Sequence, residues 1–148
     1  MRKLFVIGVI VLMVSMLAVP TAHASPREGF YMEKVCPSLD NPNACDIQNA
    51  AAPFSQLSGG QILYTDRVYW ENPAGHLFEI ARIEIKAGDG SGTARGQIRW
   101  VGDYGLFTIM SGTGSLKGLR ANGRVEFKDV APDGRWMFTL SGTYHVEP

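Results

Sequence analysis

The pattern of apolar and polar positions changes character along the chain. Leu4 to Val19 is apolar and carries no charge. Ser25 to about Ser58 shows little sustained periodicity and holds Pro26, Pro37, Pro42 and Pro53. From Gly59 onward, short alternating segments are separated by glycine-rich turns. Gln61–Trp70 is rich in aromatic and β-branched residues. Leu77–Ala87 sets Ala81, Ile83 and Ile85 on one face, with Arg82, Glu84 and Lys86 on the other. Thr93–Val101 opposes Ile98 and Trp100 to Gln97 and Arg99, and Leu106–Ser111 follows. Arg124–Val130 opposes Val125 and Phe127 to Arg124, Glu126 and Lys128. Trp136–Val146 aligns Trp136, Phe138, Leu140, Tyr144 and Val146. Period-two alternation is the signature of a strand with one buried face. Asn72-Pro73-Ala74-Gly75, Gly88–Gly92, Gly102–Gly105, Asn122-Gly123 and Pro132-Asp133-Gly134 supply the turns.

This spacing predicts roughly six to eight strands and an all-β, antiparallel domain, a closed barrel or a sandwich. No strand–helix alternation is visible, which excludes a doubly wound nucleotide-binding sheet. Residues 25–58 read as an N-terminal arm, with room for a short strand, before the barrel of residues 59–148. Within the arm, Asp46–Ala52 reads as one or two turns of helix stopped by Pro53. Ser-Gly-Thr recurs at residues 91–93, 111–113 and 141–143. Glycine there permits a tight bend or bulge, after which Thr resumes the strand.

The first 24 residues carry a different message. Arg2 and Lys3 precede the apolar run, and Pro20 and Ala22-His23-Ala24 follow it. A charged start, an apolar stretch and a small-x-small exit read as a signal peptide. At 16 residues the run falls short of the roughly 20 that a spanning helix needs. The expected product begins at Ser25, is exported to the periplasm or secreted, and does not touch a membrane after cleavage. It keeps 12 basic against 14 acidic residues, a formal charge of −2. That balance excludes the electrostatic footprint of a nucleic-acid binder.

In an exported chain, Cys36 and Cys45 are expected to pair. The segment between them, residues 37–44, is turn chemistry throughout. A redox pair would need C-x-x-C, which is absent. The two histidines left after cleavage, His76 and His145, lack metal-ligand spacing with the cysteines. Gly112–Gly118 lacks the spacing of a phosphate loop, and no G-x-S-x-G elbow occurs.

Ile109-Met110-Ser111-Gly112-Thr113-Gly114-Ser115-Leu116-Lys117-Gly118-Leu119-Arg120-Ala121-Asn122-Gly123 resembles the G-G-T-G-x-F-x-G-A-x-G-x-G segment of dirigent proteins and allene oxide cyclases. Ser111 stands where that pattern often has Gly, Leu116 replaces the aromatic, and Leu119 the small residue. Gly102-Asp103-Tyr104-Gly105 looks like a turn of plant allene oxide cyclases, and Phe138–Tyr144 like the family's last strand. The resemblance covers about residues 60–148 and rests mainly on glycines, which specify backbone shape rather than chemistry. It implies a small barrel of about eight strands, work by proximity and exclusion of water, and no cofactor. Barrels of these families often pair as dimers or trimers, so it also implies a homo-oligomer. Their catalytic residues find no matching positions here.

Candidates therefore come from the residues themselves. Glu71, beside Trp70, and His76 are the candidate acid–base pair at a barrel mouth. Trp70, Trp100, Tyr104, Phe138 and Tyr144 are the candidate ligand-binding residues. Three functions follow. The preferred one is an exported barrel that binds a small hydrophobic molecule. The others are a cofactor-free cyclase, isomerase or dirigent-like enzyme, and a protein-binding or inhibitor module with a packed interior.

Overall fold

The computed structural model describes residues 28–148. The expected signal peptide and cleavage site lie outside the described residues. Eight strands follow in chain order: β1 (Glu28–Cys36), β2 (Ala44–Ala50), β3 (Gln61–Glu71), β4 (Leu77–Lys86), β5 (Gly92–Val101), β6 (Tyr104–Gly114), β7 (Leu119–Val130) and β8 (Trp136–Val146). Each pairs antiparallel with the next, and β8 returns to β1 to close a barrel. Closure leaves the sheet without an edge strand. The helical content among the described residues is one 3-10 turn, Ser55–Leu57.

The alternation read from residue 59 onward reappears as the inward face. Ile62 and Tyr64, Ala81, Ile83 and Ile85, Ile98, Phe107 and Ile109, Val125, and Leu140 are all buried in one core. The arm, by contrast, is part of the wall. Residues 28–58 contribute β1 and β2, and the segment expected to turn as a helix is β2 plus the residues that follow it. Pairing with β1 and β3 overrides the helix propensity of its alanines. Asn122-Gly123 is likewise no turn but the middle of β7, where Gly123 stands opposite Gly142 of β8. A Cβ on Gly123 would strike the Ser141 carbonyl, the Gly142 backbone and the Phe107 ring. The third Ser-Gly-Thr therefore marks close approach of two strands.

The two ends of the barrel differ. At the end that carries the β2–β3, β4–β5 and β6–β7 connections, aromatic rings fill the bore. Phe54 lies 5.6 Å from Phe30 and 4.7 Å from Tyr144, and Phe30 lies 5.5 Å from Phe107. Leu57, Leu116 and Leu119 complete this plug. At the opposite end the interior is open. Cys36 and Cys45 are joined there as a disulfide, tying the end of β1 to the start of β2. A bulge in β3 between Thr65 and Val68 breaks the pairing with β4, with Asp66 at φ 49°. The extra residue sends Asp66 outward to Arg82, and Arg67 into the barrel mouth.

Candidate functional site

The open half of the barrel is a cavity of about 870 Å³. Its walls carry an aromatic series. Phe127 meets Phe138 edge-on at 6.0 Å, and Phe138 meets Trp100 edge-on at 5.5 Å. The β1–β2 and β7–β8 loops form part of the rim. Arg135 clamps them together by donating to Asp46 at 2.7 Å, Asp133 at 2.8 Å and the Pro37 carbonyl at 3.2 Å. Burial pushes the Asp46 carboxyl up, but hydrogen bonds from Ser38, Arg135 and Gln61 outweigh it and hold it below the ordinary aspartate value.

The floor is polar. Lys34 follows Phe30 and Met32 in the inward phase of β1 and is 1% exposed. Its Nζ donates to the Tyr64 hydroxyl and lies 4.9 Å from the Tyr64 ring centroid and 5.3 Å from that of Phe138. Arg67 lies over the same tyrosine ring at 4.6 Å, and its Nε donates to Glu79 Oε1 at 2.9 Å. Lys34, Tyr64, Arg67 and Glu79 come from β1, β3 and β4, and all line the cavity. Burial disfavours the ammonium and pushes Lys34 down to about 7, against a smaller upward pull from the Glu79 charge and a downward push from Arg67. Burial raises Tyr64 well above the ordinary phenol value, so it stays protonated. Amine, phenol and carboxylate thus share one desolvated corner, with the exposed guanidinium of Arg67 at its edge. Such a corner can donate and accept protons beside an apolar ligand.

The structure divides the residues singled out from sequence. Trp100 and Phe138 line the cavity. Trp70 pairs with Phe78 and stacks on it at 5.4 Å and 8° between planes, away from the cavity walls. Tyr104 and His76 border a separate depression of about 250 Å³ with Phe78 and Asp103. Arg124 covers the Tyr104 ring at 4.5 Å. Glu71 is exposed at the end of β3. Tyr144 belongs to the plug at the other end, its hydroxyl donating to Glu28. Glu71 and His76 flank the β3–β4 turn, where Asn72 Oδ1 accepts from the Ala74 and His76 amides.

Sequence reasoning missed the polar floor. A signal for Lys34 was present, since Phe30, Met32, Lys34 and Cys36 share one phase, but the run is short and lies in the proline-containing region read as an arm. No signal existed for Arg67, because its inward direction depends on the bulge. Among the described residues no group of three or more His, Cys, Asp and Glu is placed to hold a metal. No family model matches this chain, and no curated protein or solved structure matches it either.

Proposed function

We propose that this protein is an exported barrel that binds one small, mostly apolar molecule in its open half. The observation that carries this reading is the cavity of about 870 Å³ with its Phe127–Phe138–Trp100 wall. Ligand sites occupy roughly 300–1,000 Å³ and combine apolar walls with a few placed polar groups. Space on this scale argues against a packed interaction module. The Cys36–Cys45 bond supports export, because such bonds persist in oxidising compartments. The resemblance of residues 109–123 to allene oxide cyclases and dirigent proteins adds a precedent for cofactor-free barrels with an apolar interior. A second reading, a cofactor-free cyclase or isomerase, is favoured by the buried ionisable groups of the floor.

The test uses Trp100 as the reporter. Trp70→Phe with Trp136→Phe leaves it the only tryptophan. Saturable change of its emission by Nile red at one molecule per chain is the expected result. Native mass spectrometry of the purified protein should then show the same stoichiometry. A linear, unsaturable response with only the bare protein mass would overturn the binding reading.

A further inference from the structure

We infer that Lys34 captures an apolar aldehyde or ketone covalently, holding it as an imine at the floor of the cavity. This inference rests on the cavity reading above and names the ligand class. Three features of the floor carry it.

The first is that Lys34 is not placed as a structural lysine. Among the described residues it is the one buried lysine, and burying an amine costs free energy that a surface position avoids. A lysine kept for stability would pair with the nearest carboxylate. Glu79 is the carboxylate whose charge acts on Lys34, and Arg67 already holds it. The direct hydrogen-bond partner of Lys34 Nζ is instead the Tyr64 hydroxyl.

The second is the surroundings. The amine lies between the rings of Tyr64 and Phe138, and Trp100 packs edge-on against Phe138. A flat, conjugated or aromatic body can stack against these rings while its carbonyl reaches the floor. A carboxylate-bearing ligand fits less well. The guanidinium of Arg67 is engaged by Glu79, whose own negative charge faces the same space.

The third is reactivity. Desolvated lysines are the ones that form imines, because the free amine is the nucleophile. Burial brings Lys34 down to about 7, which makes the free amine accessible near neutral pH. The lone pair of the amine attacks the carbonyl carbon, the C–N bond forms, and the C=O π pair moves to oxygen. One proton passes from nitrogen to that oxygen by way of the Tyr64 hydroxyl, giving a carbinolamine. The C–O bond then breaks, and the hydroxyl leaves with the second nitrogen proton as water. One carbonyl compound enters, one water leaves, and nothing is oxidised or reduced. Tyr64 ends as it began.

The experiment is reductive trapping. The full chain, expressed into an oxidising compartment and used as purified, is treated with 2-naphthaldehyde and sodium cyanoborohydride at pH 7. Peptide mapping separates Lys34 from the chain's α-amine and from Lys3, Lys86, Lys117 and Lys128. Emission of Trp100 is followed in parallel, in the tryptophan background above, with 2-naphthalenemethanol as the carbonyl-free control. The expected result is one naphthylmethyl group on Lys34, formed at least about tenfold faster than on any other lysine. Lys34→Arg should lose that adduct while the other lysines label as before, and Lys34→Met serves if the arginine variant does not fold. A Trp100 response to both compounds, with label spread evenly over the lysines, overturns imine capture and leaves the cavity reading standing. No Trp100 response and no selective adduct overturns both.

Discussion

Lys34 and Tyr64 meet inside the barrel although 30 residues separate them in the chain. The amine of one donates to the hydroxyl of the other, and both side chains are buried. The pair brings a titrating amine into an apolar bore, and the first prediction follows from its pH dependence. The native Lys34 value is depressed to about 7 by burial, whereas the unfolded chain titrates near 10.4. Between those values the unfolded chain binds more protons than the native protein. Stability therefore rises with pH across that window, by at most about 1.4 kcal/mol per pH unit from this group. Below about 7 the cost of the buried ammonium is fully present. Lys34→Met should gain stability relative to the parent at pH 6, and the gain should shrink steadily toward pH 10. Urea unfolding at pH 6, 8 and 10 checks this, and a constant difference between the two proteins would refute it.

Glu79 acts on the same amine from β4. Its charge raises Lys34, opposing the effect of burial. Glu79→Gln should therefore move the Lys34 titration further down, below its present value of about 7. It should also cost up to about 1 kcal/mol by removing the ion pair with Arg67, which is itself exposed. The Lys34 Cε resonance followed against pH reports the first effect directly. An unchanged or raised midpoint would refute the assignment.

Arg135 clamps the rim through Asp46 and Asp133. The Asp46 carboxyl is held below its ordinary value despite its burial. A depressed acid contributes stability above its unfolded value, and that contribution is lost as pH falls through the native value. Arg135→Ala removes one of the hydrogen bonds that depress Asp46. Acid unfolding should then begin at a higher pH, readable as a shifted midpoint in circular dichroism. Coincident acid curves would show that the clamp contributes nothing.

The disulfide closes a short loop at the mouth. Replacing Cys36 and Cys45 together with serine should cost about 2–3 kcal/mol by the chain-entropy argument. Both cysteines line the cavity, so the variant should also bind Nile red more weakly. A lowered urea midpoint with unchanged Nile red binding would separate the stabilising role of the bond from any role in shaping the mouth.

Gly123→Ala tests the strand contact with Gly142. The added Cβ meets backbone and the Phe107 ring, and neither can move without disturbing the plugged half of the core. A loss of about 3 kcal/mol is expected, large for a single methyl group. A loss under about 0.5 kcal/mol, the size usual for an exposed site, would mean that the strands part easily here.

Much of this architecture was legible along the chain. Ile83 and Ile85, Ile98, Val125 and Leu140 alternate with charged residues, and that alternation alone decides which side of a strand is buried. Cys36 and Cys45 announced their bond through proximity and turn-rich intervening residues. Trp100 and Phe138 were legible as cavity residues because each lies in phase with an apolar face. Trp70 is aromatic too, but the bulge at Asp66 and Arg67 shifts the phase of β3, so Trp70 pairs with Phe78 away from the cavity. Tyr144 keeps the inward phase of β8 and still misses the cavity. Phase gives the side of the wall but not the height along the bore.

The sequence by itself determined the period, the turns and the covalent tie, because each rests on interactions within a few residues. The tertiary structure alone decided that residues 28–50 join the wall and that Lys34, Tyr64, Arg67 and Glu79 share one floor. It also left one half of the bore open and plugged the other. These outcomes depend on the register of strands far apart in sequence, on one inserted residue in β3, and on closure of β8 against β1. A charged residue in an inward phase costs free energy locally, so patterning alone does not mark Lys34 as part of the wall. Only the assembled barrel supplies the partners that allow it to stay.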